Sequence, residues 1–180
     1  RVPEREWRRE VLKMQAGGID IIACYIFWNH HEAVEGQIDW SGNRNIRKFL
    51  EICRDCGEKV VLRVGPFCHG EVYLGGIPEW IVDKAAADPA QYALRTPAAG
   101  FIAAVARFYD AIGEQASGLL WKDGGPVIGV QVDNESSGPW PYFAALKQAI
   151  IDAGMDVPFY TRTGWPQMEG PAVFGEILPL

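Results

Sequence analysis

Four apolar runs rich in β-branched residues, at 19–28, 59–66, 126–132 and 157–163, alternate along the chain with stretches of helical periodicity. No other feature restricts the fold so tightly. None of the runs shows the strict apolar–polar alternation of a strand with one wet face, so each predicts a strand covered on both sides. A helix is predicted over 3–15, with Pro3 early and Gly17-Gly18 as its stop. A second spans 41–56, opened by Ser41 and closed by Gly57. A third follows Thr96-Pro97 and carries Phe101, Val105, Phe108, Tyr109 and Ile112 as its stripe. A fourth covers 142–153, ahead of Gly154. The connection from 67 to 95 is long, with one helical turn near 78–82, and 173–180 is expected to begin another strand.

Strand–helix alternation at this spacing implies a parallel sheet with right-handed crossovers. A (β/α)8 barrel and an open doubly wound sheet both satisfy it. The polar residues choose between them. Asn29 with His31-Glu32, His69 with Glu71, Asn134-Glu135 and Trp165 each fall at the C-terminal end of a run, where barrels assemble their sites from several strands. No glycine-rich phosphate loop follows any run, which counts against a nucleotide-binding sheet. A whole barrel takes about 250 residues, so residues 1–180 are expected to be one partial α/β catalytic-barrel domain. Strands 2 to 5 or 6 would be present, and the first and last would lie outside.

Composition removes some functions. The formal charge is −6, from 23 acidic and 17 basic side chains, which leaves no basic patch for nucleic acid. No apolar run is long enough to cross a membrane. Cys53 and Cys56 form a C-x-x-C, but they fall on a helical stripe with Ile46, Phe49 and Leu50 and have no second pair at metal-ligand spacing. His30 and His31 are adjacent, so on an extended chain they point to opposite sides. Neither a metal nor an organic cofactor is expected.

The stretch Val132-Asp133-Asn134-Glu135 ends an apolar strand on carboxyl and amide groups. Leaving such groups buried and unpaired costs several kcal/mol (roughly 2–7 each), so a polar occupant is expected there. Either a sugar or a helix-capping arrangement would satisfy them. Cleaving a glycosidic bond needs a carboxylic acid beside the leaving oxygen and a second carboxylate across the bond. In Arg63-Val64-Gly65-Pro66-Phe67-Cys68-His69-Gly70-Glu71, the Gly-Pro step ends the strand and leaves His69 and Glu71 on a loop over the barrel mouth. Trp28, Tyr73, Trp140 and Trp165 stand near strand ends, suited to stacking on a pyranose or to core packing.

Taken together, KM-x-A-G-G-I-D, YIFWN-x-HE, G-x-I-D-W-S-G-N-R, LRVGPFCHGE-x6-IPEW and GGPVIGVQVDNE resemble glycoside hydrolase family 35, the β-galactosidase family, through nearly the whole chain. The resemblance implies a retaining exo-glycosidase acting on terminal, non-reducing β-galactosyl residues of oligo- or polysaccharides. In that pattern Glu135 is the general acid/base, and Asn134 is the partner of the sugar 2-hydroxyl. Tyr25, His69, Glu71 and Trp165 are carried over as substrate-binding residues. The nucleophile would follow barrel strand 7, beyond this chain, which by itself would hydrolyse nothing. The resemblance also implies a periplasmic or secreted location. Family members often have Cys and Ala where this chain has His69 and Gly70, Glu where it has Asp133, and Tyr or Trp where it has Phe67. Those departures leave two alternatives open: a clan relative with another sugar at its −1 site, and a non-catalytic sugar-binding barrel.

Overall fold

The computed structural model describes residues 2–136, 138–161 and 177–179. In chain order the elements are α1 (Trp7–Ala16), β1 (Ile21–Tyr25), α2 (Trp28–His31), α3 (Ile46–Cys56), β2 (Lys59–Gly65) and α4 (Glu79–Ala87). Then come α5 (Pro89–Tyr92), α6 (Ala99–Ala116), β3 (Val127–Val132), α7 (Trp140–Asp152), β4 (Phe159–Thr161) and β5 (Leu178–Pro179). All five strands are parallel and lie side by side in sequence order. A doubly wound sheet reverses its strand order at a switch point; the described sheet runs one way throughout. It is part of a (β/α)8 barrel.

Strand β2 shows how the sequence divides the two faces. Val60, Leu62 and Val64 are fully buried in the core that includes Leu50 of α3, Phe108 of α6 and Phe143 of α7. Lys59, Val61 and Arg63 face the other way, toward the barrel interior, and are half-buried. Each fully buried apolar side chain contributes about 1.5–3 kcal/mol relative to exposure. The predicted stripe of α6 is buried along its whole length. Among the described residues, no helix is long and apolar enough to cross a membrane.

Several boundaries shift for local reasons. Strand β1 stops at Tyr25, where its register against β2 reaches Arg63, instead of running to 28. The chain then turns into α2, and Trp28 enters the core, stacked on Phe108 and edge-on to Trp80. Helix α3 starts at Ile46 because Asn45, not Ser41, caps it, accepting from the Lys48 amide at 2.9 Å. Ser41 opens a separate turn in which Arg44 donates to the His30 carbonyl at 2.6 Å and to Asp39 at 2.8 Å. Thr96 holds the turn before α6 through Ala93 and Ala98. Helix α4 is longer than the single turn expected. Cys53 is buried and Cys56 half-buried on α3, and all four cysteines are free thiols.

Candidate active site

Parallel strands bring their C-terminal ends to one rim, and β1, β2 and β3 all finish there on polar or aromatic groups. Just below the rim, Tyr25, Arg63, Gln131 and Tyr160 are register partners across four strands. Neighbours in a parallel register share a face, so these four form a lateral row inside the barrel. The Arg63 guanidinium lies 3.9 Å over the Tyr25 ring and donates to its hydroxyl. Its second nitrogen donates to Asn134 Oδ1 at 2.8 Å. Gln131 donates to the same oxygen at 2.9 Å and to the Asp133 carbonyl at 3.0 Å. Tyr25 is also stacked on Phe27, with centroids 5.0 Å apart.

Above this row the segment 133–135 is clamped from outside the sheet. The Asp133 carboxylate is fully buried and accepts from Arg95 Nη2 at 3.0 Å and Nε at 3.2 Å. Its other oxygen accepts from the Phe67 amide at 3.2 Å, and Arg95 also donates to the Asn134 carbonyl at 2.6 Å. Burial raises the pKa of Asp133, and the adjacent Arg95 opposes that rise. The buried Tyr109 hydroxyl donates to the Gly65 carbonyl at 2.6 Å, and burial holds its pKa well above the usual phenol range. Glu135 is next in line. Its side chain is 46 % exposed, with Oε2 3.8 Å from His69 Nε2.

The loop after β2 faces these groups. His69, Gly70, Glu71, Leu74, Gly75 and Gly76 all have positive φ, and aromatic neighbours enforce the glycines. A Cβ at Gly75 would lie 2.0 Å from the Phe67 ring, and one at Gly70 would lie 3.0 Å from Phe27 and 3.5 Å from Tyr25. Alanine is therefore poorly suited to position 70 here. Glu71 is exposed, with no hydrogen bond among the described residues. Asp133 and Glu135 also have positive φ, at 52° and 47°. Left-handed backbone is uncommon for such residues. Where several occur together, the surrounding structure over-determines them, as at functional sites.

Tyr25, His69, Glu71, Asn134 and Glu135 thus belong to one rim, and hydrogen bonds or short contacts link all but Glu71. Trp165 lies outside the described residues. Trp28 is a core side chain, not a sugar platform. Its indole donates to Glu32 at 2.6 Å, and Glu32 in turn accepts from the Gly36 amide. His31 is buried against the Asp39 carbonyl, and burial lowers its pKa to about 4. His31 and Glu32 are therefore committed to the protein itself. Asn29 donates to the Tyr73 carbonyl at 3.0 Å and ties down the loop, while Tyr73 itself is 68 % exposed. Trp140 stacks on Phe143 at the start of α7. Among the described residues no cluster of His, Cys, Asp and Glu is arranged to hold a metal ion. Sequence reading assigned no role to Arg63, Gln131 or Arg95. For the first two a signal existed: each is a polar residue inside an otherwise apolar strand.

The model of glycosyl hydrolases family 35 matches residues 1–172. This chain belongs to that family. It is 39 % identical over 158 residues to human beta-galactosidase-1-like protein 2, covering 86 % of this chain and 24 % of the relative. It is 33 % identical over 169 residues to bovine beta-galactosidase, covering 91 % and 25 %. The chain spans about a quarter of the length of these family 35 relatives. Solved structures agree on the fold. An exo-beta-1,4-mannosidase from Opitutaceae bacterium strain TAV5 superposes with a TM-score of 0.65 at 16 % identity, over 90 % of this chain and 28 % of that one. Endo-glycoceramidase II from Rhodococcus gives 0.64 at 14 % identity, over 96 % and 51 %.

Proposed function

We propose that the full-length protein is a retaining exo-β-galactosidase with Glu135 as its general acid/base. The observation that carries this reading is the placement of Asn134-Glu135 at the end of β3. There Arg63 and Gln131 fix Asn134, the Glu135 side chain is half exposed beside His69, and Tyr25, His69 and Glu71 share the rim. In the first step the Glu135 carboxylic acid protonates the glycosidic oxygen as its bond to the anomeric carbon breaks. A carboxylate from barrel strand 7 attacks that carbon from the opposite face, giving a glycosyl-enzyme. In the second step Glu135, now a carboxylate, takes a proton from water as the water displaces the enzyme carboxylate. Two inversions restore the β configuration. Glu71 accepts hydrogen bonds from ring hydroxyls, and the Tyr25–Phe27 pair supplies an aromatic wall.

Incubating the full-length protein with an aryl β-galactoside, an aryl β-mannoside and an aryl β-glucoside tests the reading. Galactoside cleavage should dominate, and proton NMR should show the β anomer of galactose first. Cleavage of none of the three, or an α anomer as first product, would overturn it. In the same assay Glu71→Ala should raise the inhibition constant of a galactose-type inhibitor by roughly fivefold to a hundredfold. That range is what losing one or more hydrogen bonds to a charged acceptor costs. The melting temperature should hardly move, since the side chain is exposed. An unchanged inhibition constant would make Glu71 part of the loop scaffold.

A further inference from the structure

We infer that Arg63, backed by Gln131, is a positioning residue that locks the Asn134 amide with its NH2 group available to ligand. This side of the site would then donate a hydrogen bond to a sugar hydroxyl oxygen. The inference rests on the galactosidase reading and specifies how that site recognises one hydroxyl.

Arginine has five N–H donors, no acceptor, and no neutral form at ordinary pH. The atom of Asn134 that meets Arg63 Nη2 at 2.8 Å must therefore be the carbonyl oxygen. Gln131 reinforces the choice. Its nitrogen is identified by the Asp133 backbone carbonyl, which only accepts, and the same nitrogen reaches Asn134 Oδ1 at 2.9 Å. Turning the amide over would set its NH2 against two donors. With Oδ1 doubly engaged, Nδ2 is the side-chain group with no hydrogen bond among the described residues.

The same guanidinium reads Tyr25. It occupies the hydroxyl oxygen from one side, so the phenolic proton points elsewhere and Tyr25 too is left as a donor. Because Tyr25, Arg63 and Gln131 are in register across β1, β2 and β3, strand pairing sets the spacing of the row.

The test pairs a change in the protein with a change in the ligand. Binding of isopropyl 1-thio-β-D-galactoside and its 2-deoxy counterpart to the full-length protein is measured by calorimetry. The native protein should lose roughly tenfold to a hundredfold in affinity when the hydroxyl is absent, the range for a buried donor left unpaired. In Arg63→Met the ratio between the two ligands should fall toward one. Arg63→Lys keeps a single donor point and should give an intermediate ratio. A merely structural role would weaken both ligands alike and leave the ratio as it was. Gln131→Met removes the second donor without touching Tyr25, and it carries the test should Arg63→Met fail to melt cooperatively. Native discrimination that persists in every folded variant would overturn the role of Arg63 and leave the galactoside reading standing. A folded native protein that binds neither thioglycoside would sink that reading and this inference together.

Discussion

Exchanging Glu135 for Gln in the full-length protein should lower turnover of disaccharide and alkyl galactosides by about 10²–10⁴-fold, the contribution of a positioned general acid. Gln keeps the shape and cannot release a proton. Because the Glu135 side chain is half exposed, the exchange leaves the core untouched. The loss should follow the leaving group. An alkoxide needs the proton, whereas an activated phenolate departs without it, so aryl galactosides with acidic phenols should form the glycosyl-enzyme at nearly the native rate. They should then stall, since water lacks its base. Azide, an anion that needs no deprotonation, should restore turnover and yield β-galactosyl azide. Steady-state rates across a series of aryl leaving groups, with and without azide, measure all of this. An equal loss on every substrate with no azide effect would remove Glu135 from the acid/base role.

The other large effect concerns the clamp. Arg95→Met should destabilise the protein by about 3–5 kcal/mol near neutral pH, the cost of removing one partner from a buried ion pair. Asp133 already has a raised pKa because burial disfavours its charge. For an acid whose folded pKa lies above its unfolded value, the native state holds the proton more tightly. Its contribution to stability therefore falls as pH rises from the unfolded value, about 3.9, through the folded one. Removing Arg95 removes what pulls that pKa down, so the penalty deepens at neutral pH and disappears below the unfolded pKa. Denaturant titrations at several pH values should show the mutant approaching the native protein as pH falls. Adding Asp133→Asn should recover part of the loss at neutral pH. A loss that does not vary with pH would mean that Arg95 acts through its packing on Phe67, 4.2 Å from the ring, and not through charge.

Strand and helix order was legible because burial on both faces writes itself into a sequence as unbroken apolar runs. The ends were less so. Residues 26–28 continue the apolar pattern of β1, yet pairing with β2 ends at Tyr25, and Trp28 is apolar because it enters the core from a turn. Helix α4 buries only Ile81, so it has almost no stripe to read, and its Ala-rich end forms by propensity. The site shows the same contrast. Asn134-Glu135 and the loop with Glu71 were readable because polar groups interrupt apolar segments or follow a Gly-Pro stop. Arg95 gave no such sign. It lies in an irregular segment 38 residues from the carboxylate it neutralises, a contact made by the folded path of the chain alone.

The left-handed backbone at His69, Glu71, Asp133 and Glu135 has a consequence for how such a protein can change. Each of these residues holds a conformation that costs an L side chain about 1–2 kcal/mol and costs glycine nothing. A library of variants screened for heat resistance alone would drift toward glycine at His69, Glu71 and Glu135, while the buried ion pair with Arg95 would hold Asp133 in place. Its hardiest survivors would be the ones that had discarded the proposed acid and its neighbours. Robustness and turnover compete here at three backbone angles, so laboratory evolution of this chain would have to select for both at once.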